Sequence, residues 1–204
     1  MKDTRTQILE TALGLFLQSS YREVTMKDIV EKTGLSKGAV YHYFESKEQL
    51  FLEIAEEFIF SMHRETFRDL PENSLRDFYR TFLKNVEKNV GRMLRHPFPG
   101  SESNDAKTGL NYYTMVIDAY KLFPEMREKV AEMDAAERGI WTRVISNAIK
   151  SGEIRTAMSA DQLASIYMYT NDGIGIRILM EGKVGEMGPQ LSQLWDAFYD
   201  DLIR

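Results

Sequence analysis

The sequence predicts an all-α fold of about nine helices, a short three-helix module at the N-terminus followed by a longer helical body. Three observations lead there. Apolar residues recur at three- and four-residue spacing along nearly the whole chain. Capping signatures stand in front of the apolar runs, and Gly or Pro stands behind them. No stretch reads as a strand, an internal repeat or a low-complexity tract.

The elements follow in order. Ile8, Leu9, Ala12, Leu15 and Phe16 share one face and predict a helix over about 4–19. Thr25-x-x-Asp28 resembles a capping box, with Asp in the place of the usual Glu or Gln, and opens a short helix to Thr33. Gly34 follows as a left-handed stop, and Ser36 caps a third helix over about 37–43. Ser46-x-x-Gln49 is a full capping box and opens a fourth helix to about 69, with Pro71 just beyond. Further helices are predicted near 74–95, 105–122, 124–150, 159–181 and 188–203, with stops at Pro97-Phe98-Pro99-Gly100, Gly152 and Gly182. Pro124 suits a first helical turn, where its missing N–H costs little, and Ser159-x-x-Gln162 is another capping box. Residues 96–106 are expected to form a polar loop.

Composition narrows the function classes. Of the 204 residues, 43% are hydrophobic and 28% charged, which supports a sizeable core and argues against a disordered chain. Cysteine is absent, which excludes disulfides and Cys-based metal sites and fits a reducing cytoplasm, the expected location. Glu10 and Thr11 interrupt any signal-peptide pattern, and no apolar run approaches the roughly 18 residues of a membrane span, so no membrane partner is expected. The net charge is −5, yet residues 1–50 hold seven basic and seven acidic side chains, so the body carries the whole excess. A neutral head still binds DNA if its basic residues share one face.

Thr25 to Leu50 is the informative stretch. Ile29, Val30, Leu35, Val40 and Phe44 are spaced to pack two short helices on each other and on the first helix. That leaves Lys37, Gly38, Ala39, His42 and Tyr43 at the outward start and face of the third helix. A helix of this size fits the DNA major groove, and its first residues reach base edges. Gly38 and Ala39 are small enough to let the backbone come close. Lys47 lies in the first turn of the fourth helix, where a cation opposes the helix dipole, and a phosphate bound there would explain it. Two capped amphipathic helices with core aromatics and solvated lysines would give part of this pattern as well.

Residues 5–51 resemble the DNA-binding domain of the TetR family of bacterial repressors. The matching pieces are Ile8-Leu9, Ala12, Phe16, Tyr21, Thr25, Ile29, Gly34, Ser36-x-Gly38, Tyr41-x-Tyr43-Phe44 and Ser46-Lys47-x-x-Leu50. The resemblance implies a DNA-binding domain over 1–47 and a helical effector-binding and dimerisation domain over 48–204. It implies a homodimer on palindromic double-stranded DNA, released when a small effector shifts the fourth helix. By the same resemblance, Lys27, Lys37, Gly38 and Ala39 would contact bases or the groove. Thr25, Tyr41, His42, Tyr43 and Lys47 would make mostly phosphate or mixed contacts. Three positions depart from the family pattern: Ser20 stands where Gly is frequent and would strain a left-handed cap, while Val30 and Thr33 stand where Ala is frequent.

In the body, Leu163, Ile166, Tyr167, Thr170, Ile174 and Ile178 form one broad apolar face, and Leu191, Leu194, Trp195, Phe198 and Leu202 another. These read either as intramolecular core or, as the resemblance favours, as a two-fold four-helix interface involving Ile174, Ile178, Leu191, Leu194, Trp195 and Phe198. Phe58, Met62, Phe82, Met93, Tyr112, Met115, Trp141, Tyr167 and Met168 are candidates for a pliable pocket for a largely apolar effector, with Asn171 its polar group; core packing is the alternative for each. The three histidines, His42, His63 and His96, form no helical ligand pair, and neither a phosphate-binding loop nor a nucleophile elbow is present. No enzyme, metal or cofactor is expected. The alternative to a DNA-binding regulator is a protein-interaction adaptor on a degenerate helix-turn-helix scaffold.

Overall fold

The computed structural model describes residues 3–95, 105–181 and 183–203. All regular structure among the described residues is helical, in nine longer helices and one 3-10 turn at Val184–Glu186. They are α1 (Thr4–Gln18), α2 (Met26–Thr33), α3 (Lys37–Tyr43), α4, α5 (Leu75–Arg95), α6 (Asp105–Leu122), α7 (Pro124–Ser151), α8 (Ala160–Glu181) and α9 (Met187–Leu202). The fourth, α4, begins as Lys47–Ile54, passes through a π-helical turn at Ala55–Phe60 and closes with Ser61–Thr66. The predicted bounds hold to within a residue or two elsewhere, but α4 stops at Thr66 rather than near 69. The chain leaves it through a turn from Glu65 to Arg68 and through Asp69, whose φ of 55° no helix accommodates. Of the loop expected over 96–106, residues 96–104 lie outside the described residues, and Asp105 already opens α6.

Two compact units result, Met1–Arg64 with Arg92–Pro124, and Glu65–Gly91 with Glu125–Arg204. In the N-terminal unit, Asp3 caps α1 by accepting from Thr6 N at 2.9 Å, and Ile8, Leu9, Ala12 and Phe16 are buried along its inner face. Phe16, Tyr21, Phe51 and Phe123 join α1, α4 and the end of α6 in one aromatic knot, with ring centroids 4.6–5.9 Å apart. The strain expected at Ser20 does not arise. Ser19 ends α1 in an extended conformation, and Ser20 donates both its N–H and its hydroxyl to the Glu23 carboxylate, at 2.9 and 3.0 Å.

The C-terminal unit is built on aromatic residues. Phe78, Tyr79 and Phe82 of α5 meet Trp141 of α7, Tyr167 of α8 and Trp195 of α9, all essentially buried. Glu153, in the connection after α7, holds the start of α5. Its carboxylate accepts from Ser74 Oγ at 2.9 Å, Leu75 N at 3.1 Å and Arg76 N at 3.3 Å, and from the Tyr199 hydroxyl of α9 at 2.9 Å. Desolvation works against the charge, but these donors outweigh it and keep the Glu153 carboxyl below its ordinary value of 4.5. A depressed folded-state value means the stabilisation is present above 4.5 and is lost as the pH falls through the lowered value. Glu153→Gln is expected to cost about 2 kcal/mol at neutral pH. The loss should shrink on acidification. Thermal melts of both proteins from pH 7 to 3 check this, and parallel acid limbs would contradict it.

Candidate nucleic-acid interface

The seven-residue α3 buries only Val40 along its own length, so its ends fix its position. Ahead of it, the α2 capping box is reciprocal: Thr25 N donates to Asp28 Oδ2 at 2.8 Å, and Asp28 N donates to Thr25 Oγ1 at 3.3 Å. Gly34 terminates α2 at φ 68°, a conformation that favours glycine. Thr33 Oγ1 donates to Val30 O at 2.9 Å and accepts from Leu35 N at 3.3 Å, so this departure from the family pattern stitches the turn together. Gln7 Nε2 of α1 donates to Thr33 O at 3.1 Å and ties the turn to α1. Ser36 then caps α3 through Ala39 N at 3.2 Å, and the buried Phe44 closes it by donating its N–H to Val40 O.

What remains outside is a continuous polar and aromatic face. Lys37, Gly38, Tyr41, His42 and Tyr43 are exposed, Ala39 is half-buried, and Thr25 and Lys27 are exposed at the start of α2. Lys37 Nζ lies 5.4 Å from the Tyr41 ring centre, and His42 and Tyr43 meet edge to face at 5.2 Å. Gly38 has an ordinary helical φ, and among the described residues nothing comes within 4 Å of where its Cβ would be. The chain's own packing therefore does not require glycine there, although glycine costs a helix about 0.5–1 kcal/mol.

Lys47 is placed differently from the expectation. Its ammonium donates to Tyr21 O and Val24 O, both at 2.9 Å, and sits 4.3 Å from the Tyr21 ring centre. These carbonyls and the ring compensate the unfavourable helix dipole from inside the chain, so an anion is not needed to explain the cation. These two bonds use two of its three N–H donors. The Thr25 hydroxyl is likewise engaged, donating to Asp28 Oδ2 at 2.7 Å. Sequence reasoning missed Tyr21 as an organiser. It joins the aromatic knot, underlies Lys47 and donates its hydroxyl to Glu48 Oε1 at 3.2 Å; desolvation, with Glu48 beside it, pushes the phenol up to about 12. The Ser46–Gln49 box also closes one residue out of step, because Gln49 Oε1 accepts from Glu45 N at 2.9 Å.

The remaining candidates fall into both units. Phe58, Met62, Tyr112 and Met115 belong to the N-terminal unit, and Phe82, Trp141, Tyr167, Met168 and Asn171 to the C-terminal one. The Met93 side chain lies outside the described residues. Phe82, Trp141 and Tyr167 come together in the aromatic core. Of the expected interface residues, Ile178, Leu191 and Trp195 are buried within the single chain; Ile174 and Phe198 are half-buried, and Leu194 is exposed. Among the described residues no cluster of His, Cys, Asp or Glu is arranged to hold a metal ion, and no helix is long and apolar enough to cross a membrane.

Residues 8–54 match the family described as "Bacterial regulatory proteins, tetR family". The HTH-type transcriptional regulator YfiR of Bacillus subtilis is 46% identical over 56 residues, which is 27% of each chain. The HTH-type transcriptional repressor AcnR of Corynebacterium efficiens is 37% identical over 86 residues, 42% of this chain and 44% of its own. These matches therefore span less than half of each relative's length. A protein from Saccharomonospora viridis, described as a transcriptional regulator and crystallised with choline, shares the fold at TM-score 0.65 and 21% identity, over 94% of this chain and 95% of its own.

Two substitutions separate the internal and external duties of the head. Lys47→Met is expected to lower stability by about 1–3 kcal/mol through the unpaired Tyr21 and Val24 carbonyls. Gly38→Leu is expected to leave the melting temperature unchanged or raised while weakening duplex DNA binding. Melting curves and fluorescence anisotropy on both variants read this. A Gly38→Leu protein that melts early, or binds DNA normally, would remove the argument from open space.

Proposed function

Since the chain belongs to the TetR family of bacterial regulatory proteins, we propose that it is a sequence-specific DNA-binding transcription repressor of the cytoplasm and not an enzyme. Residues 1–47 are its reading head and 48–204 its effector-binding and dimerising body. The observation that carries this reading is the α3 face, clamped at both ends and exposed along its length, with open space over Gly38. Lys37, Gly38 and Ala39 lie at the helix start, where base edges are reached, and Lys27 joins them from α2. Thr25, Tyr41, His42, Tyr43 and the free donor of Lys47 make phosphate and mixed contacts.

The protein acts as a homodimer on a palindromic site. Tyr169, Gly173, Ile176 and Met180 form an outward stripe on α8 at helical spacing, and the three large side chains are at least 48% exposed. Leu194 of α9 adds a further exposed apolar position. A second copy of the chain covers this surface. A small molecule bound in the body releases the DNA; the choline complex of the Saccharomonospora viridis protein is a precedent for ligand binding in this fold.

Selection of bound sequences from a random duplex pool tests the reading. A palindrome is expected, whereas no enriched sequence would favour a protein-interaction adaptor. On the selected site, Lys37→Ala should relax the preference at one base position and reduce the slope of log affinity against log salt by about one. Unchanged preference and slope would exclude α3 as the reader. Leu194→Glu should keep the fold and yield monomers in sedimentation, with much weaker operator binding. A full dimer of this variant would move the interface elsewhere.

A further inference from the structure

Arg138 of α7 directs its guanidinium along one side of α8. Its Nη1 donates to Ser165 Oγ at 2.8 Å and lies 3.4 Å from Asp161 Oδ1, and its Nη2 donates to the Tyr169 hydroxyl at 3.2 Å. Asp161, Ser165 and Tyr169 are spaced i, i+4 and i+8, on successive turns of α8. Ser165 is itself fixed, because its hydroxyl donates to Asp161 O at 3.0 Å. The guanidinium carbon is 5.8 Å from the Tyr169 ring centre, within reach of a cation–π contact. Arg138 is half-buried, whereas Tyr169 stays 62% exposed.

This cluster is a poor means of holding α7 to α8. Exposed ion pairs contribute little to stability, and the Asp161 side chain is 63% exposed. The two helices are joined by Trp141, about one turn beyond Arg138, whose ring stacks on Tyr167 at 4.9 Å in the buried core. What the guanidinium does fix is Tyr169. A tyrosine on an open helix surface exchanges among its side-chain rotamers. Here the ring faces solvent while its hydroxyl is tied back to α7. Tyr169 also opens the outward stripe that continues through Ile176 and Met180, and it is the member of the three with a polar tip to hold.

We propose that Arg138 is a positioning residue of the dimer surface: it holds Tyr169 in one orientation before a second copy of the chain binds. The proposal deepens the dimer reading and rests on it. Ordering a side chain during association costs roughly two- to tenfold in affinity, and an anchor ordered in advance avoids that loss. A two-fold interface contains each contact residue twice, so the advantage applies to both copies. Tyrosine suits an anchor, being enriched among the residues that dominate interface affinity. Its hydroxyl accepts from Arg138, which leaves the hydroxyl proton to donate to an acceptor on the opposing surface.

Dimer dissociation constants of the full-length protein, from sedimentation equilibrium, test this as a double-mutant cycle. Tyr169→Ala removes the anchor and is expected to weaken the dimer about thirtyfold or more. Arg138→Met leaves the anchor but frees it, and is expected to weaken the dimer about tenfold. Arg138→Lys keeps the charge but not the fork of donors, and is expected to behave as Arg138→Met does. The double variant Arg138→Met, Tyr169→Ala should dimerise as Tyr169→Ala alone does, because Arg138 acts through the ring. Diluted to monomers, all variants should melt with the wild type. An Arg138→Met protein that dimerises normally, losses that add in the double variant, or full rescue by lysine would overturn the proposal and leave the surface standing, provided Tyr169→Ala weakens the dimer. Early melting of the Arg138 variants as monomers would overturn it too, since that marks the cluster as a helix clamp. A Tyr169→Ala protein that dimerises normally would remove both the proposal and the α8 surface on which it rests.

Discussion

A helix of seven residues does not hold together alone; isolated helices shorter than roughly 12–15 residues are marginal in water. Everything proposed for the head depends on how α3 is held. One buried valine along its length is too little, so the work falls to its ends, to the Ser36 cap before it and the buried Phe44 after it. Phe44 in turn lies under the Arg5 guanidinium of α1, 5.9 Å from its ring centre, and Arg5 is paired with Glu53 of α4. Stability is thus supplied by α1 and α4, and the outer surface of α3 carries no structural duty. That separation lets the outer residues of α3 vary without rebuilding the core beneath them.

The start of α4 shows the opposite economy, with one side chain serving two ends. Lys47 closes the α1–α2 connection from inside and keeps a donor at a helix N-terminus, where backbone N–H groups favour an anion. Farther along, the π-helical turn changes which residues face inward. Regular α spacing from Phe51 and Ile54 points to Phe58 and Met62. The wider turn advances the register, so Ile59 and Phe60 are buried while Phe58 and Met62 are only half-buried. Nothing in the local sequence marks such a turn, and regular helical spacing alone does not reveal it.

Caps were the most legible feature. Thr25, Gly34, Ser36 and Ser159 act within three residues of themselves, and a local signal reads directly as local geometry. Features set by distant partners were not legible. The carbonyls that receive Lys47 lie more than twenty residues away, and Glu153 reaches Leu75 across a separation of 78. The same limit applies to Trp195 and Leu191. Their spacing marks an apolar face but not whether the same chain or another covers it. In the structure Trp195 packs on Tyr79, Phe82, Trp141 and Tyr167 of its own chain, and among the described residues the large apolar side chains left outward on α8 are Tyr169, Ile176 and Met180.

That division makes α8 a helix with two apolar sides, one more than a chain needs to bury it against its own core. Leu163, Tyr167 and Ile178 turn inward, while Tyr169, Ile176 and Met180 turn outward. A rigid helix cannot shift one side without carrying the other. Any displacement of its inward side is therefore carried to the outward stripe. Under the proposed assembly, the spacing of two reading heads on DNA depends on how two copies meet through that stripe. In that assembly, the inward and outward sides of α8 therefore move as one body.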